Sequence, residues 1–244
     1  MRNLTVNQKY NGKNLISYLK SEFPNLSQNT IYKALRKKDI RVNNIKVSEN
    51  VTIYEGNDIK IYIVDNLLFG EDSKLNIVYE DDNIIALNKP KWIEVTGSNS
   101  LTELLQMHNK STTIFPCHRL DRNTDGIILF AKNEKALKIL LKKFENNEII
   151  KYYKCKAVGI FHKKHDILNA FLFKDSKKSM VYISNEKKQG YRPIKTEYTV
   201  LEENKEQNYS ILEIILHTGR THQIRAHLAY IGHPIIGDRK IWYK

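Results

Sequence analysis

The sequence predicts an α+β chain in two parts, a small α/β module followed by a larger domain of mainly antiparallel, mixed sheet. Three observations predict it. Residues 1–64 carry two helix-period apolar stripes followed by short β-runs. An acidic, turn-rich stretch comes next, at 65–74. From Leu75 onward the apolar residues mostly alternate or cluster in short bursts between turns. A length of 244 residues suits one large domain plus a small one, and a hydrophobic content of 41% is enough for a core in each.

In the small module, Leu15, Leu19 and Phe23 recur at every fourth position with Ile16 beside them, a helix stripe that Pro24 ends. Ser27 can accept from the orphan amides of a second helix, whose inner face is Ile31, Ala34 and Leu35. Lys33, Arg36, Lys37, Lys38 and Arg41 crowd its other side, opposed only by Asp39. Ile40-Arg41-Val42, an Asn43-Asn44 turn and Ile45-Lys46-Val47 read as a hairpin. Positions 51–54 and 59–63, joined by Glu55-Gly56-Asn57-Asp58, read as another. The stretch 65–74 is a linker, which Leu68 and Phe69 would keep docked.

The larger domain, 75–244, opens with a hairpin. Ile77-Val78-Tyr79 and Ile84-Ile85-Ala86-Leu87 flank an acidic turn, and Asn88-Lys89-Pro90 ends the second strand. The densest charge follows in Cys117-His118-Arg119-Leu120-Asp121-Arg122-Asn123-Thr124-Asp125-Gly126, which gives way at once to the apolar run 127–131. A Thr-Asp-Gly tight turn puts the charged segment on a loop at a strand's edge. Loops on a rigid scaffold are where catalytic side chains concentrate, although a solvated charged turn would look similar. Leu120, between Arg119 and Asp121, interrupts such a solvated face. Positions 133–146 have helix composition, and 149–159 alternate as a half-buried strand. The lysine-rich stretch 161–192 reads as a long hairpin or loop, and 193–200 returns to strand. Residues 211–216 form a last strand, which runs through His217-Thr218-Gly219-Arg220 into a helix carrying Gln223, Arg225 and His227.

Lysine and arginine number 40 against 27 aspartates and glutamates, a net charge of +13 that favours a polyanionic partner. An anionic membrane surface would suit the charge equally, but no apolar run approaches the roughly eighteen residues of a membrane span. The first residues hold no apolar signal-peptide core. Two cysteines, Cys117 and Cys155, cannot build a disulfide framework and fit a reducing cytoplasm. His217, His222, His227 and His233 invite a metal. Zinc pairs on one helix face stand four apart, whereas His222 and His227 are five apart, so no metal is expected. A Cys117–His118 nucleophile pair is disfavoured because adjacent side chains on an extended segment point apart.

The run His118-Arg119-Leu120-Asp121-x-x-Thr124-x-Gly126 before a hydrophobic strand resembles the active-site signature of the RluA-type pseudouridine synthases, which isomerise uridine to pseudouridine in RNA. Tyr79-Glu80-Asp81 followed by Lys89-Pro90 resembles that family's entry strands, and Lys151-x-Tyr153 its Lys-x-Tyr strand. Thr218-Gly219-Arg220-x-His222-Gln223-Ile224-Arg225-x-His227 is similar to a third block almost throughout. Residues 12–63 resemble the ribosomal-protein-like (α-L) RNA-binding domain often attached to these enzymes. Three departures stand out. The family usually carries a glycine soon after Lys-Pro and a histidine a few residues on, where this chain has Lys91, Trp92 and Thr96. Asp125 stands where serine is common. The family's chains usually continue past Gly-Asp into another core strand, whereas this sequence reaches Ile241-Trp242-Tyr243-Lys244, so the sheet is expected to lack an edge.

The resemblance implies the pseudouridine synthase fold and a catalytic Asp121, which would stabilise charge on the sugar, trap it covalently or remove a sugar proton. It implies that Arg225 keeps that carboxylate ionised. Tyr153 would stack on the flipped uracil and take the proton from carbon 5, although a core tyrosine would leave the same trace. Arg119 would fill the gap left by the flipped base, Ile224 would supply an apolar wall, and His118, Thr124, Arg220, His222 and Gln223 would contact substrate. Lys33, Arg36, Lys37, Lys38 and Arg41 would bind RNA through phosphate and helix shape. The reaction adds and removes nothing, so neither cofactor nor metal is implied. Ribosomal RNA is favoured over transfer RNA as partner, with no membrane, and a monomer is expected. The competing class is a non-catalytic RNA-binding protein on a retired scaffold, against which stand Asp121, Tyr153 and Arg225 together.

Overall fold

A computed structural model describes residues 1–63, 67–68, 75–97, 100–178 and 180–238. The chain forms two compact units, Met1–Lys142 and Lys143–Lys244.

The first unit begins with the small module. Its strands are β1 (Arg2–Thr5), β2 (Lys13–Asn14), β3 (Ile40–Val42), β4 (Ile45–Val47), β5 (Thr52–Ile53) and β6 (Asp58–Ile61), with helices α1 (Leu15–Glu22) and α2 (Gln28–Arg36). Asn14 caps α1 by accepting from the Ser17 amide at 2.8 Å, and Ser27 caps α2 by accepting from Thr30 at 3.2 Å. Leu15, Ile16, Tyr18 and Leu19 of α1 and Ile31, Ala34 and Leu35 of α2 close over Ile40, Ile53, Ile59 and Ile61 in one core. Each fully buried leucine or isoleucine there contributes about 1.5–3 kcal/mol, and Leu19→Ala would cost about 2–5 kcal/mol through its cavity. Leu68 is buried in the same core, as expected of the linker. Phe69 lies outside the described residues, as do 65–66, 70–74 and 241–244.

The β3–β4 hairpin forms as read, with Asn43 and Asn44 both at positive φ (49° and 66°), the geometry of a type I′ turn. The second expected hairpin does not form. β5 pairs with β2, while β6 lies between β1 and β3 in a sheet ordered β1-β6-β3-β4. The cause is Val6, which exchanges hydrogen bonds with the Gly56–Asn57 turn (Val6 N–H to Asn57 O, 2.9 Å; Gly56 N–H to Val6 O, 2.8 Å). The chain's start thereby takes the edge of β6 that β5 would have used.

The same unit continues with β7 (Ile77–Glu80), β8 (Ile84–Lys89), α3 (Leu101–His108), β9 (Phe115–Pro116), β10 (Gly126–Ala131) and most of α4 (Glu134–Glu145), within which the division at Lys142 falls. The sheet order is β7-β8-β10-β9. Helix α3 is an addition to the sequence reading, in a region expected to be strands. Ser100 accepts from the Glu103 amide at 3.3 Å to start it, and Leu101 and Leu105 are its buried face.

The second unit is a five-stranded sheet ordered β11-β15-β14-β12-β13, with β11 (Tyr152–Val158), β12 (His165–Asp175), β13 (Met180–Ser184), β14 (Arg192–Asn204) and β15 (Tyr209–Leu216). The lysine-rich stretch is thus a hairpin. One helix, α5 (Gln223–Tyr230), follows, with Ala226 and Leu228 fully buried in the cores formed by that sheet's apolar face. All strand pairs among the described residues are antiparallel, which narrows the expected mixed sheet.

Candidate active site

In the first unit the charged motif leaves the sheet edge beside β10. Cys117 N–H donates to Leu129 O at 2.9 Å, and Leu129 N–H donates to His118 Nε2 at 3.1 Å. A side chain therefore takes over where backbone pairing would continue. With Nε2 accepting, the ring proton resides on Nδ1. Arg119 is exposed, Leu120 buried and Asp121 half-buried. Thr124 N–H donates to Asp121 O at 3.0 Å, so the tight turn spans Asp121–Thr124 rather than Thr124-Asp125-Gly126. Gly126 instead begins β10 at φ +127°, a region that L side chains rarely adopt.

The residue following Asp121 is held from several directions. The Arg122 carbonyl accepts from Trp92 N–H at 2.7 Å and from the Lys89 ammonium at 3.3 Å. Lys89 is fully buried and also donates to Pro90 O (2.9 Å) and Ile93 O (3.1 Å). Burial pushes its pKa down to about 8, while the Asp125 and Asp121 carboxylates pull it upward. The Arg122 guanidinium grips both oxygens of Asp39 (2.8 and 2.6 Å) and donates to Tyr62 O at 3.1 Å. Burial raises the Asp39 carboxyl, against the opposing pull of Arg122. Asp125 lies exposed, 3.6 Å from Lys91.

Two of the five expected RNA-binding cations face the same unit's own acid. Lys37 is 2.7 Å and Lys33 3.9 Å from Glu94. The Arg41 guanidinium lies over the Tyr62 ring at 5.0 Å, and Arg36 and Lys38 are exposed.

In the second unit Tyr153 lies on β11 opposite Ile214, half-buried against the apolar core that also holds Ile224. Gln223, expected to contact substrate, is hydrogen-bonded within the second unit. It is 2% exposed, and its amide nitrogen donates to Lys195 O (3.2 Å) and Thr196 Oγ1 (3.0 Å). Its amide oxygen accepts from Thr218 Oγ1 (2.9 Å) and Arg220 N–H (3.0 Å). Gln223 therefore ties the Thr218–Arg220 turn to β14, leaving Arg220 itself exposed. His222 sits at φ 57° ahead of α5, and its Nδ1 is 2.8 Å from Arg225. Arg225 also donates to both oxygens of Asp238, at 2.5 and 2.9 Å. His227 is buried 3.0 Å from Thr196 Oγ1, and burial drops its pKa to about 4, so it is neutral.

The four histidines serve four different neighbours: His217 lies 2.7 Å from Glu197 and His233 2.9 Å from Val158 O. Among the described residues no three His, Cys, Asp or Glu side chains gather as a metal site would require. Lys89, Asp39 and Asp238 carry no site role that the sequence alone marks. Lys89-Pro90 and Gly237-Asp238 were visible as motif fragments, but nothing local marked what their side chains would grip.

The family model described as RNA pseudouridylate synthase matches residues 83–230, covering the charged loop, the Tyr153 strand and the Arg225 helix. The chain belongs to this family; it is an isomerase whose substrate is RNA. It is similar to ribosomal large subunit pseudouridine synthase C of Haemophilus influenzae, 30% identical over 253 residues that cover 97% of this chain and 78% of that protein. It is also similar to synthase D of Pasteurella multocida, 31% identical over 241 residues covering 93% of this chain and 72% of that one. Among solved structures, human RNA pseudouridylate synthase domain containing 1 aligns with a TM-score of 0.59 at 26% identity over 68% of each chain. Human domain containing 4 shares the fold, with a TM-score of 0.58 at 22% identity over 68% of each chain. The expected fold class, family and activity are borne out. No helix among the described residues is long and apolar enough to cross a membrane.

Proposed function

We propose that this protein isomerises uridines of large-subunit ribosomal RNA in the cytoplasm as a monomer, with residues 75–244 as the catalytic domain, 1–64 as an RNA-binding domain and 65–74 linking them. Asp121 is the catalytic carboxylate. The bond between ribose carbon 1′ and uracil N1 breaks, the base turns, and carbon 1′ rejoins at carbon 5. The carbon 5 proton leaves and N1 gains one, so the composition is unchanged. Tyr153 stacks on the extruded base and accepts that proton. Arg225, whose charge persists at any working pH, keeps Asp121 ionised. Arg119 fills the vacated stack, at an unstacking cost of a few kcal/mol. His118 and Thr124 contribute by shaping the loop, Arg220 and His222 face the RNA, and Ile224 lines the base pocket. Arg36 and Lys38 are the module's readiest phosphate contacts.

The observation that supports Asp121 best is the fixing of its turn. Its own carbonyl is engaged by Thr124, and the next carbonyl by Trp92 and Lys89. A carboxylate that must meet a sugar carbon gains rate only if its position is set in advance. The ribosomal target is supported by relatives named for the large ribosomal subunit. The test is tritium release from ribosomal RNA labelled at uridine carbon 5. Wild type should release label and Asp121→Asn should not, while binding RNA equally. Release by the variant, or by neither protein, would defeat the assignment.

A further inference from the structure

We propose that the Asp39–Arg122 pair makes the amino-terminal module a positioning element of the active-site loop, so that the module governs the chemical step as well as RNA capture. The inference rests on the reading of Asp121 as the catalytic carboxylate.

Asp39 belongs to the module, between α2 and β3, and Arg122 follows Asp121 directly. Both carboxylate oxygens of Asp39 meet the guanidinium, at 2.8 and 2.6 Å, with 10% of the Asp39 side chain and 22% of the Arg122 side chain exposed. A bidentate pair of this kind fixes direction as well as distance. The same guanidinium donates to Tyr62 O at 3.1 Å, and Tyr62 N–H in turn donates to Asp39 O at 2.9 Å. Arg122 is thus held at its far end by two module segments that are themselves bonded to each other. Its main chain is held at the near end by Trp92 and Lys89. Arg122 cannot swing without moving the peptide that bears Asp121.

Trp92 supports the same conclusion independently. It adopts φ +75°, which for a bulky residue is a strained conformation. It stands just after Lys89-Pro90, whose lysine grips the same Arg122 carbonyl. Strain of this sort persists only where surrounding contacts over-determine it. Its ring packs edge-on against Tyr62 of the module at 5.1 Å, and its N–H holds the Arg122 carbonyl. The Lys37–Glu94 pair at 2.7 Å closes the rim of the same contact. One surface therefore joins a strained residue, a part-buried ion pair and the turn that carries Asp121. A module that served only as a flexible tether would need none of them.

The experiment compares full-length wild type, Asp39→Asn, Asp39→Glu and Arg122→Lys under single-turnover conditions with saturating enzyme, alongside filter binding to the same RNA. A loop misplaced by about 1 Å can lose on the order of a hundredfold in rate. Asp39→Asn should therefore slow label release by about ten- to a hundredfold with RNA affinity within about twofold of wild type, and Asp39→Glu should restore much of the rate. Hydrogen exchange gives a readout independent of turnover: the Trp92 and Thr124 amides should exchange at least about tenfold faster in Asp39→Asn and in Arg122→Lys. Unchanged exchange at both amides would overturn the proposal even if the enzyme proved inactive. Weakened RNA binding with an unchanged rate would also overturn it, reducing the module to an affinity device. If wild type releases no label yet exchange responds as expected, the reading of Asp121 fails while the clamp stands.

Discussion

Replacing Gln223 by alanine separates two roles that the motif alone could not. Its side chain makes four hydrogen bonds, to Lys195 O, Thr196 Oγ1, Thr218 Oγ1 and Arg220 N–H. Thr196 is fully buried, so water cannot replace the lost donor there, although His227 Nδ1 stays 3.0 Å from its hydroxyl and Thr218 Oγ1 3.5 Å from Lys195 O; the exposed turn around Arg220 can be re-solvated. A buried polar group left unpaired costs about 1–3 kcal/mol. Because each β14 partner keeps a second neighbour, the two count at the low end and the turn lightly, a loss of about 2–3 kcal/mol. For a chain of this size that corresponds to a fall of roughly 4–12 °C in Tm. Differential scanning fluorimetry would report it, and far-UV dichroism would show whether the fold persists below the transition. If Gln223 met substrate instead, the variant would melt within about 2 °C of wild type and show a raised KM. That result would refute the reasoning.

The remaining predictions concern groups whose ionisation burial has shifted. His227, held near pKa 4 against an ordinary 6.5, binds fewer protons folded than unfolded between those values. Stability should therefore be full above about pH 6.5 and fall by up to about 3 kcal/mol as pH drops towards 4. Urea titrations of wild type and His227→Gln at several pH values should diverge in slope over that window, and parallel slopes would sink the idea. Burial also lifts the Cys117 thiol to about 11 and the Cys155 thiol to about 12. Iodoacetamide near neutral pH should leave both unmodified and the rate intact, with complete alkylation only after unfolding. Rapid inactivation by the reagent would revive a thiol mechanism.

Local signals in the sequence carried most of the module. Ser27 and Asn43-Asn44 act through bonds a few residues long, so a cap and a type I′ turn could be read directly. The pairing of β6 could not, because it depends on Val6, some fifty positions away along the chain. Helix α3 was legible in principle, since Ser100 and Glu103 have the spacing of a capping box, but the surrounding strand pattern masked it. The site divides the same way. The motif residues Asp121, Tyr153 and Arg225 stood out by type and order. The Asp39–Arg122 pair spans 83 positions, and no periodicity connects its ends. The bonds of Gln223 were not legible, because a polar residue in the motif looks the same in sequence whether its amide turns outward or into the sheet.

The imidazole of His118 has a consequence for chain geometry. A strand that supplied a peptide carbonyl to Leu129 would have to stay in the pleat for another residue pair, and Arg119 to Asp121 would alternate across a sheet face. A ring nitrogen reaches the same amide from a backbone that has already turned away. The polypeptide is released early, and a segment that would otherwise be committed to ladder geometry becomes free to curl into a tight turn. The first residue of the motif thus acts as a terminator of sheet, and the turn that presents Asp121 begins where that termination allows.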